Sequence, residues 1–129
     1  MIILPQTPHL PGRTPRPDPA IFSTLRGHPE AAFRAGIEAF ERGYFWEAHE
    51  CWEGVWASCP PASRSRHLMQ GLIQLANAGL KRRMGKDRAA ARILMLADAA
   101  LARAGDETMG MARASLVHMR HRAGLEIAL

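Results

Sequence analysis

The residues with the clearest capacity for chemistry are His49 and Glu53, in the stretch YFWEAHECWEGVW. Four positions apart, they lie on one face of a predicted helix, where an imidazole and a carboxylate can meet. Such a pair can act as a general base or ligate a metal ion. Glu47 and Glu50 point away from this face and are expected to be solvated or to pair with neighbouring helices.

Aromatic side chains surround this pair on the same helix. On a helical wheel, Phe45, His49, Trp52 and Trp56 fall within an arc of roughly 60°, with Glu53 at its edge. His49 is therefore expected in the middle of an aromatic face that packs on the rest of the protein. Trp52 and Trp56 are expected to be mostly buried.

A second polar stripe lies on the next predicted helix, from residue 62 to residue 85. Because an unpaired buried amide costs about 1 to 3 kcal/mol, such a stripe must face water, a partner or a polar cavity. Its members share an arc of roughly 80° on an otherwise apolar helix. They are His67, Gln70, Gln74, Asn77 and Lys81.

An antiparallel hairpin of these two helices would bring the stripes together. With a turn near residue 60 and a rise of about 1.5 Å per residue on both helices, His49 lies level with Gln70. Glu53 then lies level with Arg66 or His67. We therefore predict one polar cluster, and its members are the ligand-binding candidates: His49, Glu53, His67, Gln70 and Gln74, walled by Trp52 and Trp56.

The cluster has a structural and a functional interpretation, and the sequence leaves both open. It is either a hydrogen-bonded network that fixes how the hairpin docks, or a pocket for a ligand. The leading functional hypothesis is a helical module that binds an unknown small molecule or a protein partner through this cluster. A homo-oligomer is compatible with the same pattern.

A metal-dependent hydrolase is the alternative hypothesis. HECWE begins like the HExxH motif of zinc proteases, but Glu53 stands where the second histidine would be. One His/Glu pair is an incomplete ligand set, so His49 and Glu53 are weak metal candidates that need a ligand from another helix. The Glu-x-x-His motifs of di-iron bundles are absent from the sequence. We therefore predict no cofactor and no resident metal, and no catalytic residue is identified.

Charge is unevenly distributed along the chain, which has a formal net charge of +5. Residues 30–56 carry six Glu and two Arg, whereas residues 57–104 carry nine Lys or Arg and two Asp. The basic segment could contact nucleic acid, or it could balance the acidic segment within one bundle. No aromatic residue follows Trp56, so bases would find no ring to stack on. The sequence therefore disfavours a nonspecific nucleic-acid binder, which is the third hypothesis and would use Arg82, Arg83, Arg88 and Arg92.

The elements that must position these residues are helices. Five prolines in residues 1–17 predict an extended arm that either wraps the domain or is disordered. Residues 18–129 form the single predicted domain, and no alternating strand pattern interrupts it. Its predicted helices span residues 18–27, 29–43, 44–59, 62–85 and 87–104, with a further one from 106. The predicted fold class is all-α, a small up-and-down bundle of four to five helices with a Pro-rich N-terminal arm.

Composition sets the expected environment. No apolar run approaches the roughly 18 residues that a transmembrane helix needs, and the N-terminus lacks the pattern of a signal peptide. We therefore expect a soluble, cytoplasmic protein with no membrane partner. Cys51 and Cys59 are too far apart on one helix to form a disulfide and are expected to be reduced thiols.

Two motifs, HECWEGVW and QGLIQLANA, together resemble the bacterial and archaeal family called domain of unknown function 309. The likeness extends over roughly residues 36–98, and His67, the arm and the last helix lie outside it. The resemblance implies a small up-and-down helical bundle and implies no activity, cofactor or substrate. The residues that carry it are His49, Glu50, Glu53, Trp56, Gln70, Gly71, Ile73, Gln74, Ala76 and Ala78.

Overall fold

The computed structural model describes the backbone of residues 2–128 and the side chains of residues 2–124. Within this range the fold is an all-α bundle, as predicted, with one very small hairpin before the last helix. The helices are α1 (Ala20–Ser23), α2 (Pro29–Glu41), α3 (Phe45–Ser58), α4 (Arg64–Arg83), α5 (Asp87–Ala104) and α6 (Arg113–Ala128). The hairpin consists of β1 (Glu107–Thr108) and β2 (Met111–Ala112).

The ends of α2, α3 and α4 follow from local sequence. Pro29 opens α2, since its fixed φ and missing N–H suit the first helical position. Gly43, with φ at 82°, makes the left-handed turn between α2 and α3. Cys59 is extended ahead of Pro60 and ends α3. The Ser63 side chain then accepts a hydrogen bond from the Arg66 amide and caps α4.

The core lies where α3 packs between α2 and α4, and where α4 packs on α5. Fully buried aromatic rings fill the first of these contacts, including Phe40, Phe45 and Trp52. Glycines allow the closest approaches, because a Cβ at Gly36 would lie against the Trp52 ring and one at Gly79 against the Phe45 ring. The antiparallel hairpin predicted from α3 and α4 is thus the centre of the fold.

The short hairpin and the start of α6 differ from the sequence expectation. No strand was expected, and α6 was expected to begin at Asp106, whereas two antiparallel residue pairs precede its start at Arg113. Met109 and Gly110 have φ of 55° and 76° and make the turn. Tight hairpin turns need positive φ at both central residues, usually supplied by Asn-Gly or Asp-Gly. Met-Gly lacks that signature, and two-residue strands are too short to show alternation.

The N-terminal arm wraps the bundle. The Tyr44 hydroxyl donates to the carbonyl oxygens of Pro5 and Gln6 at 2.7 and 3.2 Å. Ile2 is buried, and the Arg13 guanidinium donates to the carbonyls of Arg83 and Met84 at the end of α4. Of the two predicted alternatives for the arm, wrapping is the one observed. The division of the chain at residue 17 stays a prediction, and Met1 and Leu129 lie outside the described residues.

Two further expectations concern the membrane and the thiols. In the part of the chain that the structure describes, no helix is both long and apolar enough to cross a bilayer. Cys51 and Cys59 are free thiols, as expected, and both are buried.

Candidate functional site

The buried face of α3 is rotated relative to the predicted one. Its buried residues are Phe45, Glu47, Ala48, Cys51, Trp52 and Val55. Trp52 is fully buried, as expected, but His49 and Trp56 lie at the margin of this face and are only half-buried. His49 is therefore accessible to a ligand from solvent, which a position in the middle of the core would not allow.

The predicted pair of His49 and Glu53 is brought together. Nε2 of His49 lies 3.3 Å from Oε1 of Glu53, and Nδ1 lies 3.7 Å from Oε1 of Glu50. Glu50 was expected to point elsewhere and instead completes the group. The side chains of His49, Glu50 and Glu53 are 22%, 33% and 58% exposed, so water screens their charges. One ligand atom from each residue lies within 4.8 Å of the others.

The α4 half of the predicted cluster does not join this group. Gln70 is exposed, whereas His67 and Gln74 are half-buried. Among the described residues, no hydrogen bond or ion pair links these three side chains to His49 or Glu53. Their membership of a binding site stays a prediction.

The two predicted walls of the cluster, Trp56 and Trp52, contact different helices. The Arg66 guanidinium lies 4.0 Å from the centre of the Trp56 ring, and its Nη1 donates to the Cys59 carbonyl. This cation–π contact joins α3 to α4. Trp52 instead turns to α2, where its Nε1–H donates to the Phe33 carbonyl at 3.1 Å. Trp52 thus supports α3 from inside the core, away from solvent.

A pocket of about 370 Å³ opens between α3 and the connection from α1 to α2. Glu50 and Glu53 line it on α3. The group formed by His49, Glu50 and Glu53 therefore shares its two carboxylates with the pocket. Arg26 and His28 contribute polar groups from the connection. The apolar part of the lining includes Phe22, Leu25, Pro29, Ala32 and Val55.

The comparisons with known proteins place this site within a family. The family model described as Domain of unknown function (DUF309) matches residues 33–93, from α2 into α5. This region belongs to the DUF309 family. The match confirms the resemblance carried by HECWEGVW and QGLIQLANA, and the DUF309 region contains His49, Glu50 and Glu53. No curated protein and no solved structure matches the chain.

Glu47, also in the DUF309 region, is a buried carboxylate that the sequence analysis missed. It is 0% exposed, and its Oε2 accepts a hydrogen bond from the His9 amide of the arm at 3.0 Å. Its Oε1 is buried without a hydrogen-bond partner among the described residues. Burial raises the pKa of Glu47, although the bond from His9 opposes the shift. The only sequence signal was its position between core-facing residues of α3.

Cys51 lies one helical turn after Glu47 and is unsuited to nucleophilic chemistry. Burial raises the pKa of its thiol to about 12, with further contributions from Glu47 and Glu50. Because the thiolate is the reactive form, this cysteine is expected to be inert near neutral pH. We assign it to the core of the DUF309 region.

Glu47 makes the stability of the arm-docked fold dependent on pH. Because its pKa is raised in the folded state, its favourable contribution is present at low pH and is lost as pH rises through the folded pKa. Glu47→Gln keeps an oxygen for the His9 amide and removes the charge. We expect its stability relative to the wild type, measured by urea unfolding, to increase between pH 5 and pH 8, because only the wild type loses the contribution of Glu47 as pH rises.

Comparing Glu47→Gln with the wild type at each pH controls for the titration of other groups. His9, the titratable side chain that faces Glu47 from the arm, is retained in both proteins. Cys51 and Glu50 are likewise retained. A pH-independent difference between the two proteins would contradict the prediction.

Proposed function

We propose that the protein is a small-ligand-binding module, and that its ligand is a compact zwitterion with an apolar body. The pocket beside α3 carries this proposal. Its volume of about 370 Å³ lies within the range of small-molecule sites. Carboxylates line it on α3, cationic or polar groups line it on the α1–α2 connection, and apolar side chains make up much of the remaining lining.

Each part of such a ligand has a group in the pocket that suits it. An ammonium group would pair with Glu50 and Glu53, and His49 holds Glu53 from the side at 3.3 Å. A ligand carboxylate would pair with Arg26 and His28. The apolar body would cover Phe22, Leu25 and Val55. Burial of these side chains contributes to affinity but does not fix the orientation of the ligand.

The proposal is tested with L-phenylalanine as the probe and with two analogues that each lack one charge. These are 2-phenylethylamine and 3-phenylpropionate. We expect the zwitterion to bind with a Kd of about 10⁻⁴ to 10⁻³ M by NMR titration, and each analogue at least about tenfold more weakly.

Matched variants assign each charge to its side chain. Glu53→Gln should weaken L-phenylalanine but leave 3-phenylpropionate unchanged, and Arg26→Gln should weaken L-phenylalanine but leave 2-phenylethylamine unchanged. Glu38→Gln, an exposed position on α2 outside the pocket, is the control. Equal binding of all three probes, or no shifts at pocket residues, would count against the proposed ligand class.

A metal-dependent hydrolase is the second candidate, and the convergence of His49, Glu50 and Glu53 favours it. Three protein ligands and a water molecule are the usual coordination of a catalytic zinc ion. If this function is correct, protein purified without a histidine tag should contain stoichiometric zinc, iron or manganese. His49→Gln should lower the metal content, whereas His121→Gln on α6 should not. A metal-free protein that does not bind Zn²⁺ in calorimetry would rule this candidate out.

Nucleic-acid binding is expected to be weak. Arg83, one of the four arginines considered for it, packs 5.1 Å from the centre of the Phe45 ring and donates to the Gly43 carbonyl. This arginine therefore joins α4 to the turn before α3. We expect a Kd for random duplex DNA no tighter than about 10⁻⁶ M at physiological salt, measured by fluorescence anisotropy. Tighter binding that survives about 200 mM salt would contradict this expectation.

A further inference from the structure

The start of α3 carries a groove that adjoins the zwitterion pocket at Phe22 and is occupied by residues 5–9 of the arm. We call it the arm groove and define it by Tyr44, Trp46 and Glu47. The Tyr44 hydroxyl donates a bifurcated hydrogen bond to the carbonyls of Pro5 and Gln6, and the His9 amide donates to Glu47. Each of these contacts involves the backbone of the arm, which bends at Gln6 and Thr7. The groove therefore recognises the backbone of a bent segment more than particular side chains.

Trp46 supplies the aromatic surface of the arm groove. The His9 ring packs edge-on against it with centroids 4.7 Å apart, and the Arg16 guanidinium lies 5.7 Å from the ring centre. Phe22 of α1 contacts Trp46 from another side, with centroids 6.0 Å apart. Aromatic grooves with side-chain donors to carbonyl groups are a common way to bind proline-rich segments, which lose little conformational entropy on docking.

The arm leaves one part of the groove unsatisfied. Oε2 of Glu47 binds the His9 amide, but Oε1 is fully buried and has no hydrogen-bond partner among the described residues. Pro8, which precedes His9, has no N–H to offer. A cationic side chain would satisfy this oxygen, because charge-assisted hydrogen bonds are the stronger ones.

We infer that the arm groove is a docking site for a bent, proline-rich segment of a partner protein that carries a cationic side chain opposite Glu47. The arm is the intramolecular competitor for the same groove. Its tether gives it an effective concentration in the millimolar range, so a partner gains access only with a stronger contact. The cation facing Oε1 of Glu47 supplies that contact.

The test uses the full chain with a loosened arm. His9→Gly removes the ring that packs on Trp46 and leaves every residue of the groove intact. Two synthetic peptides serve as probes: residues 2–16 with the native sequence, and the same peptide with His9→Arg. Binding is followed by the NMR signals of Tyr44 and of the Trp46 indole.

We expect the native peptide to bind the loosened chain with a Kd of about 10⁻⁴ to 10⁻³ M, and the His9→Arg peptide at least about threefold more tightly. This gain should vanish when the chain also carries Glu47→Gln. Trp46→Ala in the loosened chain should abolish binding of both peptides, whereas Trp56→Ala, on the far half of α3, should not.

Three results would overturn the inference. The arm of the His9→Gly chain could stay ordered, which would make it part of the fold and not a competitor. The second such result is that neither peptide shifts the NMR signals of the groove at about 2 mM, a concentration near the effective concentration of the tethered arm. The wild-type chain could form a concentration-dependent dimer that Trp46→Ala abolishes, which would identify the occupant as the arm of a second copy.

Discussion

Gly36→Ala is expected to destabilise the fold by about 3 kcal/mol, although alanine usually stabilises a helix relative to glycine. A Cβ at this position of α2 would overlap Nε1 of Trp52 and would lie 2.5 Å from two further ring atoms. The ring is fully buried and is held by its bond to the Phe33 carbonyl. To make room for the added methyl group, either this bond must break or α2 and α3 must separate. Urea unfolding measures the loss.

Gly54→Ala is the matched control for this change. Gly54 also lies inside a helix, but it is exposed, and a Cβ there would meet nothing within 4 Å. We expect this variant to be more stable than the wild type by about 0.5 to 1 kcal/mol, the usual difference between alanine and glycine in a helix. If Gly36→Ala were as harmless as Gly54→Ala, the contact between Gly36 and Trp52 would be wrong.

Trp52→Ala is expected to cost about 3 to 5 kcal/mol, the range for emptying a large aromatic core position. The ring packs against Phe40, with centroids 6.1 Å apart, and fills the space left by Gly36. Trp56→Ala removes the same side chain from a half-buried position and loses the contact with Arg66. We expect that variant to cost only about 1 to 2 kcal/mol.

The two tryptophan variants also test the rotation of α3. Equal losses in the free energy of unfolding for Trp52→Ala and Trp56→Ala would indicate that both tryptophans lie on the core face, as the helical wheel predicts. A larger cost for Trp56→Ala would place the core on the opposite margin of α3.

The helices could be predicted because their ends are encoded locally. Pro29, Gly43 and the pair Pro60-Pro61 each stop or start a helix through their own backbone preferences. The spacing of His49 and Glu53 likewise predicted their contact, since residues four apart meet on any α-helix. Such features need no knowledge of the rest of the chain.

The orientation of α3 was not predictable in the same way. A helical wheel treats a helix as isolated, and it cannot show that the arm covers Glu47 on one side while α2 accepts Trp52 through Gly36. The arm contacts depend on a docked proline-rich segment whose sequence has no regular pattern. The wheel therefore placed Glu47 in solvent and His49 in the core, whereas Glu47 is fully buried and His49 is half-buried.

The α4 residues illustrate a related limit. Helix rise gives the level of Gln70 relative to His49, but not the direction in which its side chain points. That direction depends on the rotation of α4 about its axis. Close approaches at Gly71 to Leu101 and at Gly79 to Phe45 fix this rotation, and Gln70 is left exposed. The contacts of these two glycines with α5 and α3 therefore determine the direction in which the amide stripe of α4 faces.

The wrapping of the arm has a consequence for the order of events during folding. The His9 amide pairs with a residue 38 positions later, and Arg13 pairs with a carbonyl 71 positions later. Neighbouring helices such as α3 and α4 are joined by a short turn, and contacts that are near in sequence form faster. The carbonyls that accept from Arg13 belong to Arg83 and Met84 at the end of α4. The arm therefore makes its full set of contacts only after α4 has formed.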